Sequence, residues 1–266
     1  MSGELQRGMN SIQSILALNK AQMVGVHGNA RRALDRLEIS KFLALRFEAY
    51  NQLRLHLFHP ERVPSLRNAG AMTGEVVARL VELGWLKALD RGHSVVVLNQ
   101  QLGEPDVQLY LRGHWLEEYL FCALKHAGSE ECYYNQKIQW GDSAAPSLFE
   151  VDVIGRSENR LVFVSCKAIN PRASAGMSTE LRAFMSEALS WDHLFARGEA
   201  AVIVATTADF IDERRKALRF APLIEQASYL GEVLIGEEHL PWDVLLAICQ
   251  TILVGGMPDV EAVLKP

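Results

Sequence analysis

The sequence predicts an α/β protein: a helical front module followed by a domain built around a mixed β-sheet. Three features carry the prediction. Glu150–Ile154 and Leu161–Lys167 are apolar, β-branched runs of strand composition, and the polar link Gly155–Arg160 carries a turn glycine, so the pair reads as a β-hairpin. Around that hairpin, amphipathic helical stretches alternate with short apolar strands, the pattern that packs helices on a sheet. Before residue 99 helical periodicity dominates instead. With 266 residues and 49% apolar content, the chain holds one large domain or two modest ones around a sizeable core.

Residues 1–38 read as helical, with Ile12, Ile15, Leu16 and Leu18 at helical spacing. Gly25, Gly28 and Asn29 interrupt that pattern and can cap a helix over Ala30–Leu37. A second helix over residues 40–60 spreads Phe42, Leu43, Leu45, Phe47, Leu53, Leu55 and Leu57 so widely that much of it must be buried. His56, His59 and Pro60 end it; without a nearby carboxylate or cysteine, the histidines read as helix-end residues rather than metal ligands. Thr73 can N-cap the next helix, and Gly84 stops it. Trp85–Leu89, a turn Asp90–His93 and the strand Ser94–Leu98 follow. The polar link Asn99–Asp106 then sets a boundary between a front domain, 1–104, and a second, 105–266.

In the second domain, Trp115, Leu116, Tyr119, Leu120, Ala123 and Leu124 form a helical stripe. Glu117 and Glu118 sit at its start, where the helix dipole favours acids. Cys132–Trp140 reads as a strand, and the central hairpin comes next. Ala168–Gly176 is a loop, Ser178–Gly198 a long helix, Ala200–Ala205 a buried strand and Asp209–Arg219 a helix with a basic cluster. Gly231–Ile235 is a short strand and Pro241–Val254 a closing apolar helix.

No run of eighteen apolar residues is present, so no membrane-spanning helix and no membrane partner are expected. The start MSGELQRGMN lacks the apolar segment of a secretory signal, and the four scattered cysteines suit reduced thiols, so the expected location is the cytoplasm. Net charge is −5, but it is uneven. Residues 1–100 carry 13 Lys+Arg against 8 Asp+Glu, and residues 101–266 carry 14 against 24. A basic front joined to an acidic back fits a binding module attached to a metal-dependent site, though an excess of this size also arises by chance.

Asp152 and Lys167 interrupt runs of Val, Ile and Phe. A carboxylate and an ammonium in such company need partners. A divalent metal between them is one answer, and a direct ion pair without metal is another.

Helix, then LGWLK, then a hairpin with a basic tip, over Ser40–Leu98, resembles the end of a winged-helix module. That resemblance implies Arg79 and the tip residue Arg91 as nucleic-acid contacts. The motifs GHWLEEYL and EVDVIGRSENRLVFVSCK, with the helix–strand pair after them, resemble the PD-(D/E)XK, restriction-endonuclease-like nuclease fold over about residues 105–235. The nearest resemblance is to CRISPR-associated nucleases in which such a domain follows a ligand-sensing CARF domain. About forty residues before the winged-helix segment cannot form a CARF domain, so the resemblance implies a chain without one. It further implies a mixed-sheet nuclease core and hydrolysis of DNA or RNA with Mg²⁺ or Mn²⁺, in defence or DNA processing, by a homodimer or a subunit of a larger defence complex. In the implied roles, Asp152 and Glu117 hold metal with the carbonyl of Cys166, and Lys167 orients water and offsets phosphate charge. The family's acid two positions before the lysine is Ser165 here. Three outcomes follow: a carboxylate moved in from Glu150, Glu180 or Glu187; a single metal held by Glu117 and Asp152; or an inactive nuclease fold kept for binding or assembly.

Overall fold

Residues 11–59, 70–89, 95–98, 105–141, 146–158, 160–169, 176–212 and 214–264 are described by a computed structural model of the chain. Internal contacts divide the chain into two compact units, Glu38–Trp115 and Met1–Leu37 with Leu116–Pro266.

Ser11 accepts the N–H of Ser14 and so caps α1 (Ile12–Leu18). The chain then turns through Lys20 into a strand, β1 (Ala21–Val24), where sequence periodicity predicts helix throughout. Four residues are too few to display strand alternation, and β1 is held by a partner far along the chain, with Ala21 opposite Trp140. Asn29 caps α2 (Ala30–Asp35) as expected, its Oδ1 accepting the Arg32 N–H at 3.1 Å.

In the unit Glu38–Trp115, the stretch read as one helix is two, α3 (Leu37–Ala44) and α4 (Phe47–Phe58), parted at Leu45 and Arg46. His59 ends α4, in line with its reading as a helix-end residue. The next helix, α5 (Ala71–Glu82), opens at Gly70 and not at Thr73, which is buried inside its first turn. Gly84 follows with φ +71°, the left-handed conformation that glycine adopts without a Cβ clash. β2 (Leu86–Leu89) and β3 (Val95–Leu98) pair antiparallel, Leu86 opposite Leu98. Residues 90–94, where the sequence predicts a turn with Arg91 at its tip, and most of the polar link lie outside the described residues. α6 (Pro105–Leu109) and a wide turn, Tyr110–His114, complete the unit. Its core stacks Phe47 on Trp115, ring centres 5.8 Å apart, and Tyr50 donates its hydroxyl to the Leu111 carbonyl.

In the larger unit, α7 (Trp115–Ala127) leads to the long strands β4 (Glu131–Trp140), β5 (Ser147–Ser157) and β6 (Arg160–Lys167). α8 (Met177–Ala196), β7 (Ala201–Thr206), the two-residue strands β8 (Ile211–Asp212) and β9 (Ala217–Leu218), α9 (Ala221–Leu230), β10 (Glu232–Ile235) and α10 (Trp242–Leu253) follow. Six strands form one sheet in the order β1-β4-β5-β6-β7-β10. The first four run antiparallel to their neighbours, and β6, β7 and β10 run parallel, so the sheet is mixed, as the sequence predicts. α8 covers β6 through Phe163, whose ring lies 6.5 Å from Trp191 and 6.0 Å from Phe195. No helix among the described residues is long and apolar enough to cross a membrane. All four cysteines are buried thiols.

Two parts of the sheet region depart from the sequence reading. Gly155 is not a turn glycine: it pairs with Val162 inside the ladder, and the hairpin turns two residues beyond Arg156, between Ser157 and Arg160. There Glu158 adopts φ +51°. Arg156 is buried because Glu130 holds its guanidinium at 2.5 Å. Asp209–Arg219 is not a helix but the β8–β9 hairpin. Asp209 accepts the Ile211 N–H at 2.9 Å, and Asp212 accepts the N–H groups of Arg214 and Arg215 at 3.1 and 3.2 Å. Those side chains offer the backbone an alternative to helical bonds. The helix comes a dozen residues later, as α9, with Pro222 in its first turn and Gly231 as its left-handed cap.

One close approach anchors the segment after β1. The Gly28 N–H donates to the Tyr134 carbonyl at 2.7 Å, and a Cβ on Gly28 would stand 2.3 Å from the Tyr134 ring. That ring is fixed by Phe121, 5.1 Å away, and by its hydroxyl bond to the Asn29 carbonyl. Gly28→Ala is therefore expected to lower stability by about 1–3 kcal/mol, the usual cost of overpacking. A urea midpoint equal to that of the parent would show that Tyr134 moves aside freely.

Candidate functional site

The site forms where β5 and β6 part. Their last paired rung on this side is Val153 with Val164. Beyond it the Cys166 N–H donates to the side chain of Asp152, Oδ2 at 2.7 Å, in place of a ladder bond. Lys167 Nζ lies 3.3 Å from the same oxygen. Glu187, on α8, places its carboxylate 3.8 Å from Lys167 Nζ, and the Phe184 ring centre is 5.5 Å from that ammonium. Both α8 residues lie one helical turn apart, so one helix face supplies a charge and an apolar wall to the lysine.

Asp152 and Lys167 are mostly buried but not sealed, with side chains 13% and 26% exposed. Burial pushes the Asp152 carboxyl above its ordinary range, and the Lys167 ammonium and the Cys166 N–H pull against that rise. Burial alone would lower Lys167; the charges of Asp152 and then Glu187 outweigh it, and the ammonium is held more tightly than usual. The Cys166 thiol is driven well up by burial and then by the charges of Asp152 and Glu117. It therefore stays protonated, and only its carbonyl is available to a hard cation. Glu117, half-buried on α7, is thus within electrostatic reach of Cys166. Its neighbour Glu118 does something else: it is buried, 3.3 Å from Arg36 and 3.7 Å from Arg32.

Ser165 is fully buried, and its Oγ has no hydrogen-bond partner among the described residues. Of the three carboxylates that could replace the acid it lacks, all exposed, Glu187 lies beside Lys167, Glu150 acts on the Asp152 carboxyl through its charge, and Glu180 does neither among the contacts of the described residues. Arg79 is on α5, 3.0 Å from Glu82 and 44% exposed. In the basic cluster, Arg219 is tied to Asp209 at 3.0 Å, and Arg215 is largely exposed.

Among the described residues no three His, Cys, Asp or Glu side chains cluster closely enough to enclose a metal ion. Mg²⁺ does not require such an enclosure. It commonly keeps several waters and binds through one or two carboxylates plus substrate phosphates. Asp152 and Glu187, each within 4 Å of the same ammonium, fit that sparse donor set.

No protein-family model and no curated protein matches the chain. Solved structures do. Protein VC1899 from Vibrio cholerae aligns with a TM-score of 0.65 at 16% identity, over 93% of this chain and 62% of that one. Can2 from Sulfobacillus thermosulfidooxidans, solved in complex with cyclic tetra-adenylate, aligns with a TM-score of 0.54 at 13% identity, over 90% of this chain and 61% of that one. The chain thus spans about three fifths of each of these structures, and it shares with them an α/β fold.

Proposed function

We propose that this protein is a nuclease-fold protein that hydrolyses phosphodiester bonds in DNA or RNA at a site built on Asp152, Lys167 and Glu187. The observation that carries the reading is the partly open Asp152–Lys167 pair at the parting strand ends, with a further carboxylate beside the lysine. The fold likeness to Can2, which was solved with a cyclic oligonucleotide, supports it. So does the motif order Glu117, Asp152, Lys167 along the chain.

In this reading Asp152 and Glu187, with the Cys166 carbonyl and Glu117 nearby, would hold a divalent ion, Mg²⁺ or Mn²⁺. When bound, that ion supplies charge neutralisation at the phosphate and a more acidic water. Lys167 swings from Asp152 to the scissile phosphate, offsets the charge growing on its oxygens and orients the attacking water. Phe184 keeps one side of the ammonium dry, which strengthens its pull on the phosphate. The unit Glu38–Trp115, with helices ahead of a two-stranded antiparallel hairpin, serves as a winged-helix-like nucleic-acid contact through Arg79 and Arg91.

Ser165 favours a second reading, in which cleavage is lost and the fold serves nucleic-acid binding or assembly in a larger defence complex. A buried hydroxyl with no partner is a poor substitute for a carboxylate ligand. One experiment separates the two. Asp152→Asn and Lys167→Ala are each expected to reduce Mn²⁺-dependent cleavage of plasmid and single-stranded substrates by about a hundred-fold or more, and Glu187→Gln by about ten-fold. Equal rates in the parent and all three variants would end the catalytic reading.

A further inference from the structure

β10 is an outer strand of the six-stranded sheet, and it opens with Glu232 directly after the left-handed Gly231. A pocket of about 170 Å³ lies against it, walled by Ile224 and Ala227 of α9 and by residues 257–261 of the C-terminal segment. Glu232 lines this pocket and is only 2% exposed. Neither of its carboxyl oxygens has a hydrogen-bond partner among the described residues. The other buried acids among the described residues are held. Glu118 faces two arginines and Asp192 accepts the Ala200 N–H at 2.9 Å, and even the half-buried Glu238 accepts the N–H groups of Phe210 and Ile211. An acid buried with both oxygens idle costs free energy, and its persistence asks for a partner that arrives from outside.

The lining says what kind of partner. Among the described residues it contains no Lys, Arg or His, and Asp259 and Glu261 add two further carboxyl groups. The rest is mainly apolar, including Ile224, Ala227 and Val260. A hard metal ion would find one inner carboxylate and hydrocarbon walls, and a neutral ligand would offset none of the negative charge of three acids. At roughly 30 Å³ per water, the space holds about half a dozen waters, comparable to a short alkylamine.

We propose that this pocket binds a small organic cation, an ammonium or guanidinium on a short aliphatic stem, with its head on Glu232 and its stem along Ile224, Ala227 and Val260. Burial raises the Glu232 carboxyl to about 7, and a bound cation pulls it down again. Among the described residues the other titratable groups lining the pocket are Asp259 and Glu261; α9 and β7 bring no charged side chain to the lining. Below pH 7 the ligand therefore displaces a proton, and binding tightens as pH rises.

The test is calorimetric titration of the full chain with n-butylamine and with agmatine at pH 6 and pH 8, with n-butanol as the uncharged control. Expected are saturable binding of the amines at pH 8, at least five-fold weaker binding at pH 6, at least ten-fold weaker binding to Glu232→Gln, and no binding of the alcohol. Amines that fail to bind the parent at millimolar concentration, or that bind Glu232→Gln equally well, would overturn the proposal. So would amine binding that appears only in Lys265→Ala, since the chain's own lysine would then be the occupant.

Discussion

Glu118→Ala is expected to destabilise the protein by about 3–5 kcal/mol, the range for breaking a buried ion pair from one side. Glu118 is 2% exposed and sits one position from Glu117 in the first turn of α7. Were it only a dipole-favoured acid at a helix start, its removal would cost about 0.3–1 kcal/mol. The geometry argues for the larger figure. Its carboxylate meets Arg36 at 3.3 Å and Arg32 at 3.7 Å, with the Tyr134 hydroxyl at 3.5 Å. Alanine would leave the Arg36 guanidinium, 11% exposed, without the carboxylate that stands 3.3 Å from it. The double variant Glu118→Leu with Arg36→Met should recover much of the loss, because removing both charges also removes their desolvation cost. Urea midpoints for the single and double variants measure both effects. A single-variant loss under about 1 kcal/mol would place Glu118 among ordinary helix-start acids.

This cluster also shows what the sequence can and cannot display. Asp152 and Lys167 were legible because each interrupts a run of Val, Ile and Phe, and strand ends that carry such charges attract notice. The mixed sheet was legible for the same reason of composition: β6, β7 and β10 are apolar runs bounded by polar turns or glycine. Glu118 was not legible, since an acid in the first turn of a helix has a sufficient local explanation, and Arg36 lies far away in sequence. Glu187 emerged only as one of three candidates, because helical spacing gives a face but does not say which turn of α8 meets Lys167. β1 and the β8–β9 hairpin failed for different reasons. β1 is a product of its partner β4, a non-local contact that no window of sequence contains. The β8–β9 region has helical composition, yet Asp209 and Asp212 turn the backbone through side-chain bonds. Gly155 misled in the opposite direction. It pairs inside the ladder, where a Cβ would stand 3.2 Å from Ser129 Oγ, so glycine there answers packing and not turn geometry.

Glu232→Gln tests the same idle acid without any ligand, and its expected effect changes with pH. The folded-state carboxyl is raised to about 7 from an ordinary value of 4.5. A raised acid favours folding only while protonated: that contribution is complete below pH 4.5 and disappears as pH rises through 7. Above pH 7 the parent must keep an ionised carboxylate buried without a partner, and glutamine need not. The difference in stability between Glu232→Gln and the parent is therefore expected to be small near pH 4.5 and to favour the variant by about 3 kcal/mol at pH 8, from 1.36 kcal/mol per pKa unit. Urea midpoints measured from pH 4.5 to 8.5 follow this directly, and comparing the two proteins at each pH cancels the other titrating groups they share. A difference that stays constant across that range would mean that Glu232 does not titrate in the folded protein. Adding n-butylamine at pH 8 should then shrink the gap by stabilising the parent alone, because only the parent offers the cation a carboxylate. A gap that opens with pH but does not close with amine would leave Glu232 a strained acid with no ligand of this class, so the stability profile and the binding proposal stand or fail separately.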